Sequence, residues 1–166
     1  MTTMVHPLLV LRVLLLLGTA NGTPIFAKKL LGDRFAWPID GGWVLPDGRP
    51  LFGAAKTIRG VVVAIGFTTV FALLLGFGWE EGAGVAAAAM VGDLASSFLK
   101  RRLGLALHAQ CTGLDQIPEA LLPMLLFAAP LGLTLGDIGV ALLLFVALEA
   151  VLSRMLFQLH VRDRPY

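Results

Sequence analysis

Five apolar stretches dominate this chain and limit what it can fold into. They lie at about 7–20, 61–77, 82–99, 118–135 and 138–159. A helix that crosses a bilayer needs about 20 mostly apolar residues, with a range of about 17–25. The pattern therefore predicts an all-α integral membrane protein, built as a bundle of five transmembrane helices.

The composition excludes the other common classes of protein. Hydrophobic residues make up 57% of the 166 residues and charged residues only 14%, and the mean hydropathy is +0.84. Soluble domains average about 45–50% apolar and about 25% charged residues, and one core of this size could not hide the excess. We therefore expect a single membrane domain over residues 1–166. The lone cysteine, Cys111, excludes an intramolecular disulfide and a cysteine-built metal cage.

The first stretch has a second interpretation, because it is short and contains Arg12. Gly18-Thr19-Ala20 resembles a cleavage site, so a cleaved signal peptide is the alternative to a retained helix. No Lys or Arg precedes the apolar run, and Arg12 interrupts it. Both features favour the retained helix.

The charges of the connecting segments alternate along the chain. Basic residues are concentrated in 21–60, in 100–117 and in the C-terminal tail. In the other two connections, all the charged residues are acidic. Cytoplasmic loops carry an excess of Lys and Arg. We therefore predict that 21–60 and 100–117 are cytoplasmic loops, with the N-terminus outside and the C-terminus cytoplasmic. A reduced Cys111 is expected on that side.

Acidic residues near the ends of two stretches require an explanation. Asp93 lies towards the cytoplasmic end of the third stretch, whose small residues indicate a central helix with close neighbours. An acid inside a membrane is costly and usually has a partner. A metal or substrate site is one interpretation, and an Asp93 satisfied by Ser97 or a lysine is the other. Asp115 and Glu119 open the fourth stretch, where acids also complement the helix dipole.

Basic residues flank the same membrane face. Lys56 and Arg59 precede the second stretch, and Thr57 can cap its helix. A helix N-terminus with flanking bases suits a phosphate, although a membrane-surface anchor is an equal alternative. Lys100-Arg101-Arg102 ends the third stretch, and we expect Arg102 to be an anchor at the lipid headgroups.

Taken together, these charges favour one kind of chemistry. Acids such as Asp93 and Asp115 can hold a divalent metal, and a metal with Lys and Arg can hold a polyphosphate. The combination is typical of nucleotidyl or phosphoryl transfer at the bilayer surface. A small transporter or a structural membrane subunit is the alternative from another class. A transporter would more naturally carry polar residues along the middle of several spans.

At these residues the chain resembles the CDP-archaeol synthase family, within the wider group of membrane CTP-transferases that includes CDP-diacylglycerol synthases. The matching segments lie within 20–24, 38–42, 47–60, 92–104 and 114–116. The run from Gly92 to Gly104, followed by Asp115-Gln116, is the most specific part. The resemblance covers nearly the whole chain, in order.

The resemblance implies a cytidylyltransferase that joins CTP to an isoprenoid glycerol ether phosphate and releases pyrophosphate. Phosphatidic acid or another lipid phosphate is the alternative substrate. The implied cofactor is Mg²⁺, held by Asp93 and Asp115, which act in catalysis together with Lys100. The residues implied to bind CTP or phosphate are Asn21, Asp40, Lys56, Thr57, Arg59, Ser97, Arg101 and Gln116.

The same resemblance implies where the protein works and with what. We expect a multi-pass protein of the cell (inner) membrane, with its active site on the cytoplasmic face. Its expected partners are CTP, a membrane lipid phosphate and the bilayer, and no nucleic acid. The oligomeric state stays open, with a homo-oligomer as one alternative.

Overall fold

The structure, a computed structural model, describes residues 4–105 and 113–159, which form six helices. Cys111 and the basic C-terminal tail lie outside these residues. Apart from two isolated antiparallel bridges, the described part of the chain contains no strand, so the predicted all-α architecture is confirmed. The helices are α1 (Pro7–Leu31), α2 (Ile58–Leu74), α3 (Trp79–Arg102), α4 (Gln116–Leu126), α5 (Ala128–Leu131) and α6 (Leu135–Gln158).

Three of these helices are long and apolar enough to cross a membrane. They are α1, α3 and the Leu135–Met155 part of α6. The apolar helices α2 and α4 are shorter, with 17 and 11 residues. Large hydrophobic side chains also cover the outside of the bundle, for example Phe67, Leu74 and Leu143. An apolar outer surface of this kind suits a protein whose solvent is lipid.

Helix α3 lies at the centre of the bundle, as its small residues predict. It packs against α1, α2 and α4, while α6 packs against α1 and α4. A Cβ at Gly82 would meet the side chain of Ala72 and the backbone of α2, so this glycine lets the two helices touch. The core beside it is made by Val13, Leu16 and Leu17 of α1 together with residues of α3, α4 and α6.

Helix α1 extends eleven residues beyond the predicted end at residue 20, so residues 21–31 are not part of a loop. Pro24 lacks a backbone N–H and normally interrupts a helix. Here Pro24 packs close to Gly60 at the start of α2, and the Thr23 hydroxyl donates to the carbonyl of Thr19 at 2.9 Å. Packing and local hydrogen bonds therefore outweigh the helix-breaking tendency of this segment. The connecting segment begins only at Gly32.

The fourth predicted span, 118–135, is divided into α4 and α5. Phe127 leaves the helical conformation with φ −108° and ψ 16°. Pro130 cannot donate a hydrogen bond to the carbonyl of Leu126, and its ring crowds that carbonyl. Gly132 then ends α5 with φ 70°. A hydropathy pattern does not register such a break, because the residues on both sides are apolar.

The first and last helices are joined where they begin. The carboxylate of Asp137, fully buried, accepts hydrogen bonds from the backbone N–H of His6 at 2.6 Å and of Thr134 at 2.9 Å. The ring nitrogen Nδ1 of His6 lies 2.9 Å from the same carboxylate. Thr134 and Asp137 also form a capping box at the start of α6. We refer to these contacts of His6, Thr134 and Asp137 as the N-terminal clasp.

The segment 32–57 between α1 and α2 is organised around Asp40. Its carboxylate accepts hydrogen bonds from the backbone N–H groups of Gly42 at 3.0 Å, Phe52 at 2.9 Å and Gly53 at 3.1 Å. Partial burial raises the pKa of Asp40, but these donors outweigh it and hold the pKa below its usual range. The side chain that the resemblance implies in a nucleotide pocket thus holds this segment together.

We predict that Asp40→Asn loosens the segment 32–57 at neutral pH. Because the pKa of Asp40 is lowered by folding, its contribution is present above the ordinary pKa of about 4 and is lost as the pH falls below it. The thermal stability of the variant should therefore lie below that of the wild type at pH 7, and the gap should narrow below pH 4. Asp33→Asn, at an exposed acid of the same segment, is the control. An equal loss in both variants would contradict the assignment.

Candidate active site

Two ion pairs lie at one end of the bundle, where α2 and α4 begin and α3 ends. The ammonium group of Lys56, just before α2, bonds both carboxylate oxygens of Asp93 on α3, at 2.5 and 2.6 Å. Lys100 on α3 lies 2.7 Å from Asp115, the residue before α4. All four side chains are largely buried. The predicted acids and bases therefore meet at one end of the bundle.

The electrostatic environment of Lys56 shows that the two pairs form one cluster. Burial lowers the pKa of its ammonium group, but the charge and hydrogen bonds of Asp93 and the charges of Glu119 and Asp115 together raise it by more. The pKa of Lys56 is therefore above its usual range, and the group stays charged near neutral pH. The lysine partner agrees with the interpretation in which a lysine satisfies Asp93. It also places an ammonium group beside the acids.

Glu119 of α4 is a member of this cluster that the sequence analysis did not select. It is 7% exposed, and its carboxyl group lies within hydrogen-bonding reach of Asp93 and near Glu149 of α6. Two charged carboxylates about 4 Å apart repel by about 4 kcal/mol at an effective dielectric constant of 20. Such a contact needs a shared proton or a cation between the two groups. The signal in the sequence was the i, i+4 spacing of Asp115 and Glu119, which places both on one face of α4.

Helices α3 and α4 touch beside this cluster. A Cβ at Gly92 would overlap the backbone carbonyl of Pro118 and approach the backbone N–H of Glu119. Only glycine lets the two backbones come this close without displacement. The crossing point lies next to Asp93 in one helix and at Glu119 in the other, so it sets the distance between the two carboxyl groups.

Arg102 and Arg49 join the end of α3 to the segment 32–57. Arg102 bonds the carboxylate of Asp47 at 2.5 Å and the carbonyl of Pro50 at 2.6 Å. Arg49 in turn donates to the carbonyl of Arg102 at 2.6 Å, where a cation also complements the helix dipole. We name Asp47, Arg49 and Arg102 the arginine clasp. Arg102, expected to anchor at lipid headgroups, is thus bound within the protein.

Other predicted residues have local structural partners. Thr57 accepts from the backbone N–H of Gly60 at 3.1 Å, which confirms the predicted cap of α2. The guanidinium group of Arg59 donates to the backbone carbonyls of Gly32 and Arg34, beyond the end of α1. Gln116 accepts from the backbone N–H of Gly113 at 2.7 Å. Neither Arg59 nor Gln116 contacts, through these bonds, the acid cluster, by which we mean Asp93, Asp115 and Glu119 with Lys56 and Lys100.

The remaining predicted residues lie in α1 and α3. Ser97 and Arg101 are buried near the end of α3, and Arg101 lies close enough to Asp115 to feel its charge. Asn21 of α1 has a buried side-chain nitrogen that finds no hydrogen-bond partner in the described part of the chain. A buried amide N–H without a partner is costly, so this nitrogen is a candidate donor to a ligand.

The acids fit a divalent cation only in part. Within 4–105 and 113–159, no group of three His, Cys, Asp or Glu side chains converges closely enough to hold a metal ion. The carboxyl groups of Asp93 and Glu119 nevertheless lie within interaction range of each other, and Asp115 lies close enough to influence Lys56. Mg²⁺ is usually bound by one or two carboxylates, with water and substrate phosphates as the other ligands. The donor set fits that kind of site.

Comparison with known proteins identifies relatives that match most of the chain. The sequence profile of the CarS-like CDP-archaeol synthase family matches residues 81–166. The CDP-archaeol synthase of Sulfurisphaera tokodaii is 31% identical over 153 residues, which cover 89% of each chain. That of Hyperthermus butylicus is 38% identical over 104 residues, which cover 59% of each chain. A solved structure described as an intramembrane enzyme for archaeal membrane lipid biosynthesis superposes with a TM-score of 0.69. It is 28% identical and covers 82% of this chain and 90% of its own.

We predict that Gly92→Ala separates Asp93 from Glu119, because the added methyl group pushes α4 away from α3. Turnover should fall by at least about tenfold, since a displacement of about 1 Å can cost a hundredfold in rate. The control is Gly66→Ala in α2, where an added Cβ meets nothing within 4 Å. The steady-state turnover rates of the two purified variants test this prediction, and their thermal stability shows whether each remains folded. Equal rates in the two variants would refute the role of the crossing.

Proposed function

The chain belongs to the CDP-archaeol synthase family, and on that premise we propose that it is a CTP-dependent cytidylyltransferase of the membrane. Its substrates are CTP and an isoprenoid glycerol ether phosphate, and its products are CDP-archaeol and pyrophosphate. A phosphate oxygen of the lipid attacks the α-phosphorus of CTP, and the bond between that phosphorus and the bridging oxygen to the β-phosphate breaks. The carrying observation is the cluster of Lys56, Asp93, Lys100 and Asp115 at one end of the bundle.

The two ion pairs suggest how the residues act when the nucleotide arrives. Without substrate, each lysine neutralises one acid, so neither charge is left uncompensated in a largely buried site. A triphosphate offers Lys56 and Lys100 stronger anionic partners. The lysines then turn towards the phosphates, and Asp93 and Asp115 become available to a divalent cation. In both states every lysine and every aspartate therefore has a partner of opposite charge.

We propose Mg²⁺ as the cation, held by Asp93 and Asp115 with Glu119 as a third candidate ligand. When bound, Mg²⁺ supplies charge neutralisation for the triphosphate and the pyrophosphate leaving group. The protein needs no nucleophilic side chain, because the lipid phosphate is itself the nucleophile. The protein itself orients CTP and the lipid phosphate, two anions that repel each other, and holds positively charged side chains beside them.

The course of the helices supports five membrane crossings with the site on the cytoplasmic face. The starts of α1 and α6 lie together at the N-terminal clasp, and the acid cluster lies where α3 ends and α4 begins. Helix α2, with 17 residues, is at the short limit for a span, and α4 continued by α5 makes the remaining crossing. The basic residues around the acid cluster support an inside location for that end under the positive-inside rule, on the side where CTP is available.

The function is tested by pyrophosphate release from CTP in the presence of defined lipid phosphates. We expect turnover with an archaeal ether lipid phosphate that requires Mg²⁺, and little turnover with other nucleotides. Preferred turnover with phosphatidic acid would keep the chemistry and change the lipid. No pyrophosphate release with any lipid phosphate, from protein that CTP and Mg²⁺ fail to stabilise thermally, would overturn the proposal.

We predict that removing the charge of each acid changes the Mg²⁺-dependent turnover to a different extent. Asp93→Asn and Asp115→Asn should each abolish turnover while the protein still inserts and purifies. Glu119→Gln keeps the size of the side chain and removes one carboxylate, so it should raise the Mg²⁺ concentration for half-maximal rate several-fold. Glu80→Gln, at an exposed acid at the start of α3, is the control. A Mg²⁺ titration of each variant gives the answer, and an unchanged titration for Glu119→Gln would exclude it as a ligand.

A further inference from the structure

The turn that follows α1 presents two aromatic side chains to the outside. Phe35 and Trp37 are 60% and 65% exposed, and their rings pack edge to face with centroids 6.0 Å apart. Phe35 has a φ of 57°, and it is the only non-glycine residue in the described part of the chain with a positive φ. This conformation is unfavourable for a bulky residue. We refer to residues 32–37 as the aromatic turn.

Arg59 holds the aromatic turn in this conformation. Its guanidinium group donates to the backbone carbonyl of Gly32 at 2.8 Å and also to that of Arg34. Both carbonyls lie just before Phe35, so the bond pattern fixes the backbone that aims the ring outwards. Exposed aromatic rings held in an unfavourable backbone conformation indicate a surface that contacts something.

The length of α1 indicates what lies there. Its 25 residues measure about 37 Å at about 1.5 Å per residue, whereas the hydrocarbon core of a bilayer is about 30 Å thick. The last turn of α1 and the aromatic turn therefore emerge in the headgroup layer. Trp is enriched at that depth, since its ring is apolar and its N–H is polar.

The charges around the aromatic turn complement an anionic surface. Lys28, Lys29 and Arg34 are exposed beside it, and the one acid among residues 28–37 is Asp33. Juxtamembrane bases of this kind are attracted to anionic lipid headgroups. An aromatic pair bordered by three bases thus fits the surface of an anionic bilayer.

The aromatic turn is also bonded to the segment that carries Lys56. The backbone N–H of Ile58 donates to the carbonyl of Trp37 at 3.0 Å, and that of Ile39 donates to the carbonyl of Lys56 at 2.8 Å. Residues 37–39 therefore run antiparallel to residues 56–58, with a bridge between Pro38 and Thr57. If Trp37 is held at a fixed depth in the membrane, these backbone bonds also fix the position of Lys56, whose ammonium group bonds Asp93.

We propose that the aromatic turn is a docking surface for the anionic headgroup layer of the bilayer, and that its depth positions Lys56 over the acid cluster. Trp37 and Phe35 insert among the headgroups and glycerol backbones. Lys28, Lys29 and Arg34 meet the lipid phosphates around them. Trp37 is thus a positioning residue that acts through the backbone of 56–58.

Fluorescence quenching in vesicles tests the docking surface without reference to activity. The probe is the Trp43→Phe, Trp79→Phe variant, in which Trp37 is the remaining tryptophan, reconstituted in phosphatidylcholine with or without phosphatidylglycerol. The reference is the variant that retains only Trp79, the exposed first residue of α3 at the other end of the bundle. We expect chain-brominated lipid to quench Trp37 to an extent comparable with Trp79, more strongly with phosphatidylglycerol present. Quenching of Trp37 by aqueous acrylamide but not by brominated lipid would overturn the proposal, and equal quenching in both lipid mixtures would overturn its anionic preference.

A kinetic comparison, which rests on the proposed function, tests the positioning of Lys56. In the same vesicles, Trp37→Leu should raise the KM for CTP several-fold, because leucine has no preference for the interface. Trp37→Tyr should keep the KM close to the wild-type value, since tyrosine has that preference. Equal KM values for the two variants would exclude the positioning role, even where the fluorescence result stands.

Discussion

The mutual neutralisation of acids and bases at one end of the bundle is the constraint on which the site depends. Asp93, Asp115 and Glu119 are largely shielded from water. An uncompensated carboxylate there would be strongly destabilising. Lys56 and Lys100 neutralise two of these acids. In each pair, the lysine and the acid belong to different segments of the chain. The cluster can form only when three segments of the chain have assembled, so the fold and the chemistry share the same contacts.

Close helix packing makes these contacts geometrically feasible. Glycine at position 92 brings the backbones of α3 and α4 together beside the acids, and Gly82 does the same for α3 and α2 further along. In lipid, where apolar side chains gain little by meeting each other, small residues that permit backbone contact are a principal source of helix association. A bundle of ordinary helix spacing would hold Asp93 and Glu119 further apart.

The sequence was sufficient for the class of fold and for selecting two acids and two lysines of the cluster, but not for their pairing or for the place of Glu119 among them. Asp93 and Lys100 share a helix face, so their meeting near one membrane surface followed from spacing. Their actual partners, Lys56 and Asp115, depend on how α2 and α4 cross α3, which no single helix encodes. Glu119 was assigned to the helix dipole for the same reason. Asp40 and Arg59 carry the right chemistry for a nucleotide, yet backbone groups of the segment 32–57 occupy them.

The N-terminal clasp has a consequence for the order in which the molecule is completed during synthesis. His6 and Asp137 are separated by 131 positions, so the start of α1 is secured only after α6 has been synthesised. Until then, the buried face of α1 that packs on α6 stays open to lipid or to insertion machinery. The final geometry of the bundle is therefore reached only after translation of α6. A chain that stops before Asp137 would lack the contact that closes the assembly, although it contains every residue of the acid cluster.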